Sequence, residues 1–308
     1  MSAGLFYMLL STFFFSLVNL AVKSLKAEGL SAPELVFWRS LTALLMTAPL
    51  MVYAGASFLG RRKLLLLVRG LLGFVGLSIF FYNLQHLKLF EATVLVYTNP
   101  IFAALLAPLI LRERPSRAQL LITLASFIGV VLVATPSTTG FRVWLEIFSG
   151  NSSLGDLFPY LLGLYGGLNA GVAYLVVRLL SRTEHTLTIV WYFPLVSLPL
   201  SLPNRVVPGF DYQFVGPHTM TALAGILAIG FFTTLAQIYL TRGLRREEGA
   251  RATAMNYTAL IFNALWGFLF FGEVPAWWTV LGALIIAASV YAIARLREAE
   301  PTPATVQV

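Results

Sequence analysis

Apolar positions in this chain do not alternate, and they seldom keep to one helical face. They come in long runs separated by short polar and charged punctuation. Ten runs stand out, at about 4–24, 33–55, 64–84, 92–111, 117–135, 157–178, 187–204, 219–241, 252–271 and 276–294. Each approaches the ~20 residues a helix needs to cross a bilayer core. In lipid a backbone amide must find its partner within its own segment or in a closed barrel, so runs this long predict helices. Barrel strands are shorter and alternate apolar with polar positions. The expected fold class is an all-α integral membrane protein with ten transmembrane helices.

One stretch is written twice. Leu89 to Arg114 reads LFEATVLVYTNPIFAALLAPLILRER, and Glu248 to Glu273 reads EGARATAMNYTALIFNALWGFLFFGE. A shift of 160 positions sets Thr93 on Thr253, Tyr97 on Tyr257, Ile101-Phe102 on Ile261-Phe262, Glu113 on Glu273 and Pro115 on Pro275. That is about half the chain. It divides the protein into two five-span units, 1–136 and 157–297, with a linker at 137–156 and a tail at 298–308. Five is odd, so the second unit is expected upside down, an inverted repeat. In the linker, Phe141, Trp144, Leu145 and Phe148 fall at i, i+3, i+4 and i+7. They form either a short interfacial helix or a plain connection. Asn151-Ser152-Ser153 fits a glycosylation sequon, a triplet common by chance. The tail, with Pro301 and Pro303, is expected to be disordered.

Composition agrees with the pattern. Hydrophobic residues make up 58% and charged residues 11%, against roughly a quarter charged in soluble domains. The Met1 end shows neither a basic n-region nor a cleavage site, so no signal peptide is expected. There is no cysteine, hence no disulfide and no thiolate metal site. The net charge of +8 could indicate nucleic acid, but its distribution does not. With both termini in the cytoplasm, 14 Lys and Arg fall near cytoplasmic loops and five (Lys23, Lys26, Lys88, Arg142, Arg205) near outer ones. Arg39 and Arg69 lie within spans. The positive-inside rule therefore places both termini in the cytoplasm of the plasma or bacterial inner membrane. Basic residues spread over five short segments are not a nucleic-acid groove.

Catalytic chemistry finds little footing. All thirteen acidic residues lie at span ends or in loops, with Glu34 and Glu91 closest to the lipid core. His86, His185 and His218 stand singly, so no metal or other cofactor is expected, and Glu184-His185 reads as a solvated loop. The spans instead contain uncharged polar and aromatic side chains, which gain by finding a partner on another helix or on a ligand. Those chosen as cavity candidates are Asn19, Tyr82, Tyr97, Asn99, Asn169, Tyr174, Gln237, Asn256 and Tyr257, with Trp191 and Trp266 as aromatic walls. Interhelical packing is the alternative for each amide. Tyr53, Trp277 and Trp278 read as the interfacial belt. Arg39, Arg69 and Lys23 are the electrostatic candidates. The arginines snorkel to head groups or pair with backbone carbonyls, or else neutralise an anionic group of a solute, such as a carboxylate, or stabilise one conformational state. Gly163, Gly167 and Gly171, and Gly70, Gly73 and Gly76, have the spacing of close helix contacts. Pro100, Pro194 and Pro199 are candidate hinges.

These features together resemble the drug/metabolite transporter superfamily, in its EamA-type branch of ten-helix carriers. The residues that carry the resemblance are Lys23, Phe37-Trp38-Arg39-Ser40, Arg69-Gly70, and Ala92-Thr93 through Pro100-Ile101-Phe102 to Arg112-Glu113-Arg114, with the echo ending at Glu273. The pattern VKSL, PELVFWRS, RGLLGF is similar to a subgroup that includes S-adenosylmethionine uptake carriers. The resemblance implies alternating access around a central cavity between helices 1–4 and 6–9, with helices 5 and 10 peripheral. The expected function is secondary transport of a small polar or amphipathic organic solute: an amino acid, a nucleoside or an S-adenosylmethionine-like metabolite. The alternatives are a lipid flippase and a membrane-embedded lipid-modifying enzyme. Expected partners are the small-molecule substrate and membrane lipids, with a homodimer allowed.

Overall fold

The computed structural model describes residues 2–25, 28–86, 94–113, 115–135, 154–203, 212–272 and 274–299. The linker helix around Phe141, the sequon, the tail, and Lys26, Lys88, Glu91, Arg114, Arg142, Arg205 and Glu273 lie outside the described residues. So do the side chains of Gln85 and His86.

Helices account for all the regular structure among the described residues. They are α1 (Ala3–Leu25), α2 (Ala32–Tyr53), α3 (Lys63–His86), α4 (Asn99–Ile110), α5 (Arg117–Ala134), α6 (Leu154–Ser181), α7 (Thr186–Leu200), α8 (Met220–Arg246), α9 (Gly249–Ala254), α10 (Thr258–Phe271) and α11 (Trp277–Ala299). A 3-10 turn, Met255–Tyr257, joins α9 to α10. Seven spans are long and apolar enough to cross a membrane, and three shorter apolar helices, Val94–Ile110, Thr186–Leu200 and Trp277–Ile293, bring the set to ten. Their outer surfaces carry bare apolar side chains, such as Leu45 at 66% exposure, Leu109 at 79% and Leu121 at 67%. A water-soluble protein would bury such a surface; lipid covers it without cost.

Local sequence explains the helix starts. Ser31 accepts from the Glu34 amide ahead of α2, and Thr219 from the Ala222 amide ahead of α8. Ser116 and Gln119 form a reciprocal capping box on α5. Each satisfies amides that the first turn leaves without a partner.

The contacts define two ends of the bundle. At one end Glu113 accepts from Arg178 (2.7 and 2.9 Å), from Arg182 (2.9 Å) and from the Gly249 amide (3.1 Å). There too Gln119 donates to Glu248 (3.0 Å), and Ser2 bonds Glu247. Glu184 accepts from the Arg61 and Arg62 amides at 2.6–3.1 Å. This corrects the expectation of a solvated Glu184-His185 loop: Glu184 is buried, and the His185 ring caps α7. At the other end Glu34 holds the Gly216 amide (2.7 Å), Thr219 bonds Glu28, and Lys23 lies 4.2 Å from the Phe271 ring centroid. α1 begins at the arginine-rich end, whereas α6 ends there.

The pattern of packing is the same under an exchange of halves. α1 packs on α8, and α6 on α3; α1 packs on α10, and α6 on α4; α2 packs on α8, and α7 on α3. α2 with α7, and α5 with α11, pair across the exchange. At the α5–α11 crossing a Cβ on Gly129 would lie 2.8 Å from the Gly282 carbonyl oxygen, so the two backbones touch.

Candidate transport site

Within the fourth and ninth of the ten spans a tighter turn interrupts the α-helix. The fourth is helical at 94–96, turns at Tyr97-Thr98 and resumes as α4. The ninth breaks at Met255–Tyr257. The two breaks fall at the positions that the 160-residue shift superposes, Tyr97 and Tyr257.

In the first break Pro100 has no amide hydrogen, so the Val96 carbonyl loses its helical donor. The Asn99 side chain replaces it, donating from Nδ2 at 2.9 Å. Thr98 donates its hydroxyl to the Leu95 carbonyl at 2.5 Å. The other hinge candidates behave differently: α7 runs as helix through both Pro194 and Pro199. In the second break there is no proline. Thr258 donates to the Met255 carbonyl (2.7 Å), and its hydroxyl lies 2.7 Å from that of Thr12. The glycines of α6 permit the approach of the first break. A Cβ on Gly167 would meet the Leu95 carbonyl oxygen at 2.6 Å, and one on Gly171 the Asn99 carbonyl oxygen at 2.9 Å.

Tyr97 and Tyr257 meet across the molecule with ring centroids 6.3 Å apart. Tyr257 is fully buried and its hydroxyl has no partner; Asn99 Oδ1 and Asn256 Nδ2 are likewise buried and unpaired. Beside them Tyr174 neighbours Asn256 and lies within electrostatic reach of Tyr97, Arg39 and Arg69.

Neither arginine snorkels. Arg39 enters α2 from one end and Arg69 enters α3 from the other, and both turn inward onto one ring. Their guanidinium carbons lie 5.4 and 5.2 Å from the Phe193 centroid. Arg69 also donates to Gln237 Oε1 at 3.3 Å, while Nε of each arginine is buried without a partner. Among the described residues no carboxylate pairs with either. A cavity of about 10 Å³ lies beside Arg39, lined also by Phe193, Thr233 and Gln237. That is room for about one water, so the site is nearly closed in this conformation. Phe193 fits because Gly73 has no side chain: a Cβ there would sit 2.5 Å from the ring.

The remaining candidates lie elsewhere. Asn169 donates to the Leu72 carbonyl at 2.7 Å and joins α6 to α3. Asn19 is exposed and reaches Asn263 at 3.4 Å. Trp266 donates to Ser16 at 2.8 Å. Tyr82 stacks edge-on against Phe158 with centroids 6.2 Å apart. Trp191 packs on Phe58 at 5.2 Å, near the arginine-rich end. Phe193 and Thr233, which share the arginine cavity, were absent from the sequence-based set. A phenylalanine and a threonine in apolar runs carry no signal until their neighbours are known.

The model of the EamA-like transporter family matches this chain twice, over residues 2–135 and 157–295. The chain belongs to the EamA-like transporter family. It is a multi-pass membrane transporter, not an enzyme. It is 31% identical to the pseudopaline exporter CntI of Pseudomonas aeruginosa, over 97% of this chain and 98% of that protein. It is 28% identical to human solute carrier family 35 member G1 (93% and 77% covered) and 26% identical to the riboflavin transporter of Brucella anthropi (85% and 88% covered). A solved crystal structure at 18% identity covers 97% of this chain, and the chain covers 99% of it, with a TM-score of 0.81, a likeness of fold.

Proposed function

We propose that this transporter is a secondary carrier for a small organic solute bearing a carboxylate, working by alternating access between two inverted five-span units. The observation that carries this reading is the pair of helix breaks at matching positions, linked through Tyr174 to two inward-facing guanidiniums with no described acidic partner. Interrupted spans at matching positions of two halves are the strongest pointer to a carrier's binding site. Arg39 Nε, Arg69 Nε and Asn256 Nδ2 are unpaired buried donors, so the complementary ligand is rich in acceptors. An anion among them gains strong charge-assisted hydrogen bonds. Tyr97 and Tyr257 would flank its organic part.

Of the solute classes considered, amino-acid-like metabolites fit this chemistry. S-adenosylmethionine has the same carboxylate but adds a sulfonium that two like charges would repel, and a nucleoside has no anionic group. The names of the relatives, an exporter and a riboflavin transporter among them, agree with an organic solute and leave its class open. Positive-inside counting supports a cytoplasmic location for the arginine-rich face.

The test is a thermal-shift screen of the purified protein against amino acids, their carboxamides, nucleosides and S-adenosylmethionine. Carboxylates should stabilise it and the matching carboxamides should not. Arg39→Gln and Arg69→Gln should each abolish that shift and lower uptake into proteoliposomes about a hundredfold, the effect of losing a buried charged contact. Stabilisation by nucleosides alone, or full uptake in both variants, would overturn the reading.

A further inference from the structure

The arginine-rich face holds a second, far larger cavity of about 680 Å³. Arg242, Arg245 and Arg246, in the last turns of α8, line one side of it. His185 and Leu187 at the start of α7, and Ala54 just past α2, line the other. All three arginines are exposed, and among the described residues none has an ion pair. Arg246 lies 4.8 Å from the Tyr7 ring centroid, which fixes its direction.

One buried apolar cluster reaches both cavities. Met51, Leu187, Val190 and Ile238 form a buried cluster. Leu187 also lines the large cavity, and Val190 also lines the small one with Arg39 and Phe193. Proceeding inward, an anion would meet three exposed cations, then four apolar side chains, then two more cations.

We infer that the large cavity is a loading site for the carboxylate of the transported solute, and that the Met51–Leu187–Val190–Ile238 layer is the gate between loading and transport sites. The inference rests on the carboxylate-carrier reading above. A concave site walled by low-dielectric protein focuses positive potential and concentrates anions at its floor. The apolar layer then stops them, because a carboxylate crossing it would lose its hydration with no partner in exchange. Movement of α7 against α2 and α8 would part the layer and join the two sites.

The chain's lack of cysteine makes this measurable without background. Single variants Ala54→Cys, Val190→Cys and, as a reference on the same face, Thr183→Cys would be placed in phosphatidylcholine vesicles. Each would be labelled with an anionic sulfonatoethyl and a cationic trimethylammonioethyl methanethiosulfonate. At low salt Ala54→Cys should favour the anionic reagent about tenfold over the reference, the scale expected of focused fields. Arg242→Gln with Arg245→Gln should remove that preference. Val190→Cys should react slowly with both reagents and about tenfold faster with the anionic one once Met51→Ala thins the layer. Equal rates at Ala54→Cys, or a preference that survives loss of both arginines, would overturn the proposal. So would a preference that disappears, relative to the reference, when phosphatidylglycerol is added: the cleft would then hold lipid headgroups. Failure of the carboxylate screen would sink the carrier reading while leaving the labelling preference intact, so the two failures are distinguishable.

Discussion

In the first half of the chain, α2 and α3 each carry an arginine into the interior. Their counterparts in the second half, α7 and α8, carry Phe193 and Gln237 there instead. Arg39 and Arg69 both lie over the Phe193 ring, and Arg69 donates to Gln237. Each charge of one half is thus met by a neutral group from the matching helices of the other. Had both halves kept arginines, four cations would crowd a poorly polarisable interior, where like charges repel far more strongly than in water. The comparison teaches that a shared framework leaves the halves free to diverge in chemistry. One holds the charge, and the other supplies the surface against which it is held.

The same comparison applies to the breaks, and it can be pressed hardest at Gly167. α6 reaches the first break with glycines, whereas α1 reaches the second with hydroxyls, Thr12 against Thr258. A valine at position 167 would drive its side chain into the Leu95 carbonyl, which is backbone and cannot rotate away. Gly167→Val should therefore cost about 3 kcal/mol or more, the upper range for overpacking. Denaturation in detergent would read this as a large drop in midpoint. A variant as stable as the parent would mean that α6 and the first break do not touch.

Pro100 offers a sharper question with a smaller effect. The shift of 160 aligns it with Leu260, and the second span breaks without a proline. Packing and side-chain hydrogen bonds therefore suffice to maintain a break. Pro100→Ala should change stability by only about 1 kcal/mol, because the new amide competes with an existing Asn99 donor for the Val96 carbonyl. The protein should still transport. Loss of uptake with a gain in helicity by circular dichroism would show that proline alone creates the first break.

The smallest effect concerns the ends of the same two spans. Arg112 has φ 59° and Gly272 has φ 65°, left-handed stops at equivalent positions. Glycine adopts that conformation freely and arginine does not. Arg112→Gly should stabilise the protein, and Gly272→Ala should destabilise it, each by about 1 kcal/mol. Shifts of the same sign in thermal midpoint would break the equivalence.

Much of the framework was legible in the chain. Apolar runs long enough to cross a bilayer marked the spans, and the repeated Tyr-centred segment marked the division into two halves. The breaks themselves were less visible. Pro100 hints at one through its missing amide, but nothing in Met255-Asn256-Tyr257 distinguishes a 3-10 turn from helix. The arginine pair was visible as two charges in apolar runs, and their convergence was not, because they enter from opposite ends and meet through side-chain length. Glu184 was misread for a related reason. Its partners, the Arg61 and Arg62 amides, lie more than a hundred positions away and are backbone groups, which residue types do not announce.

The crossing of α5 and α11 has a mechanical consequence. Two main chains pressed together at Gly129 and Gly282 can roll about their contact far more easily than they can slide or part. Motion that keeps this crossing intact must turn about it, as a door turns about its post. Displacement then grows with distance from the post, and small rotations there become large openings at the far edge of the molecule.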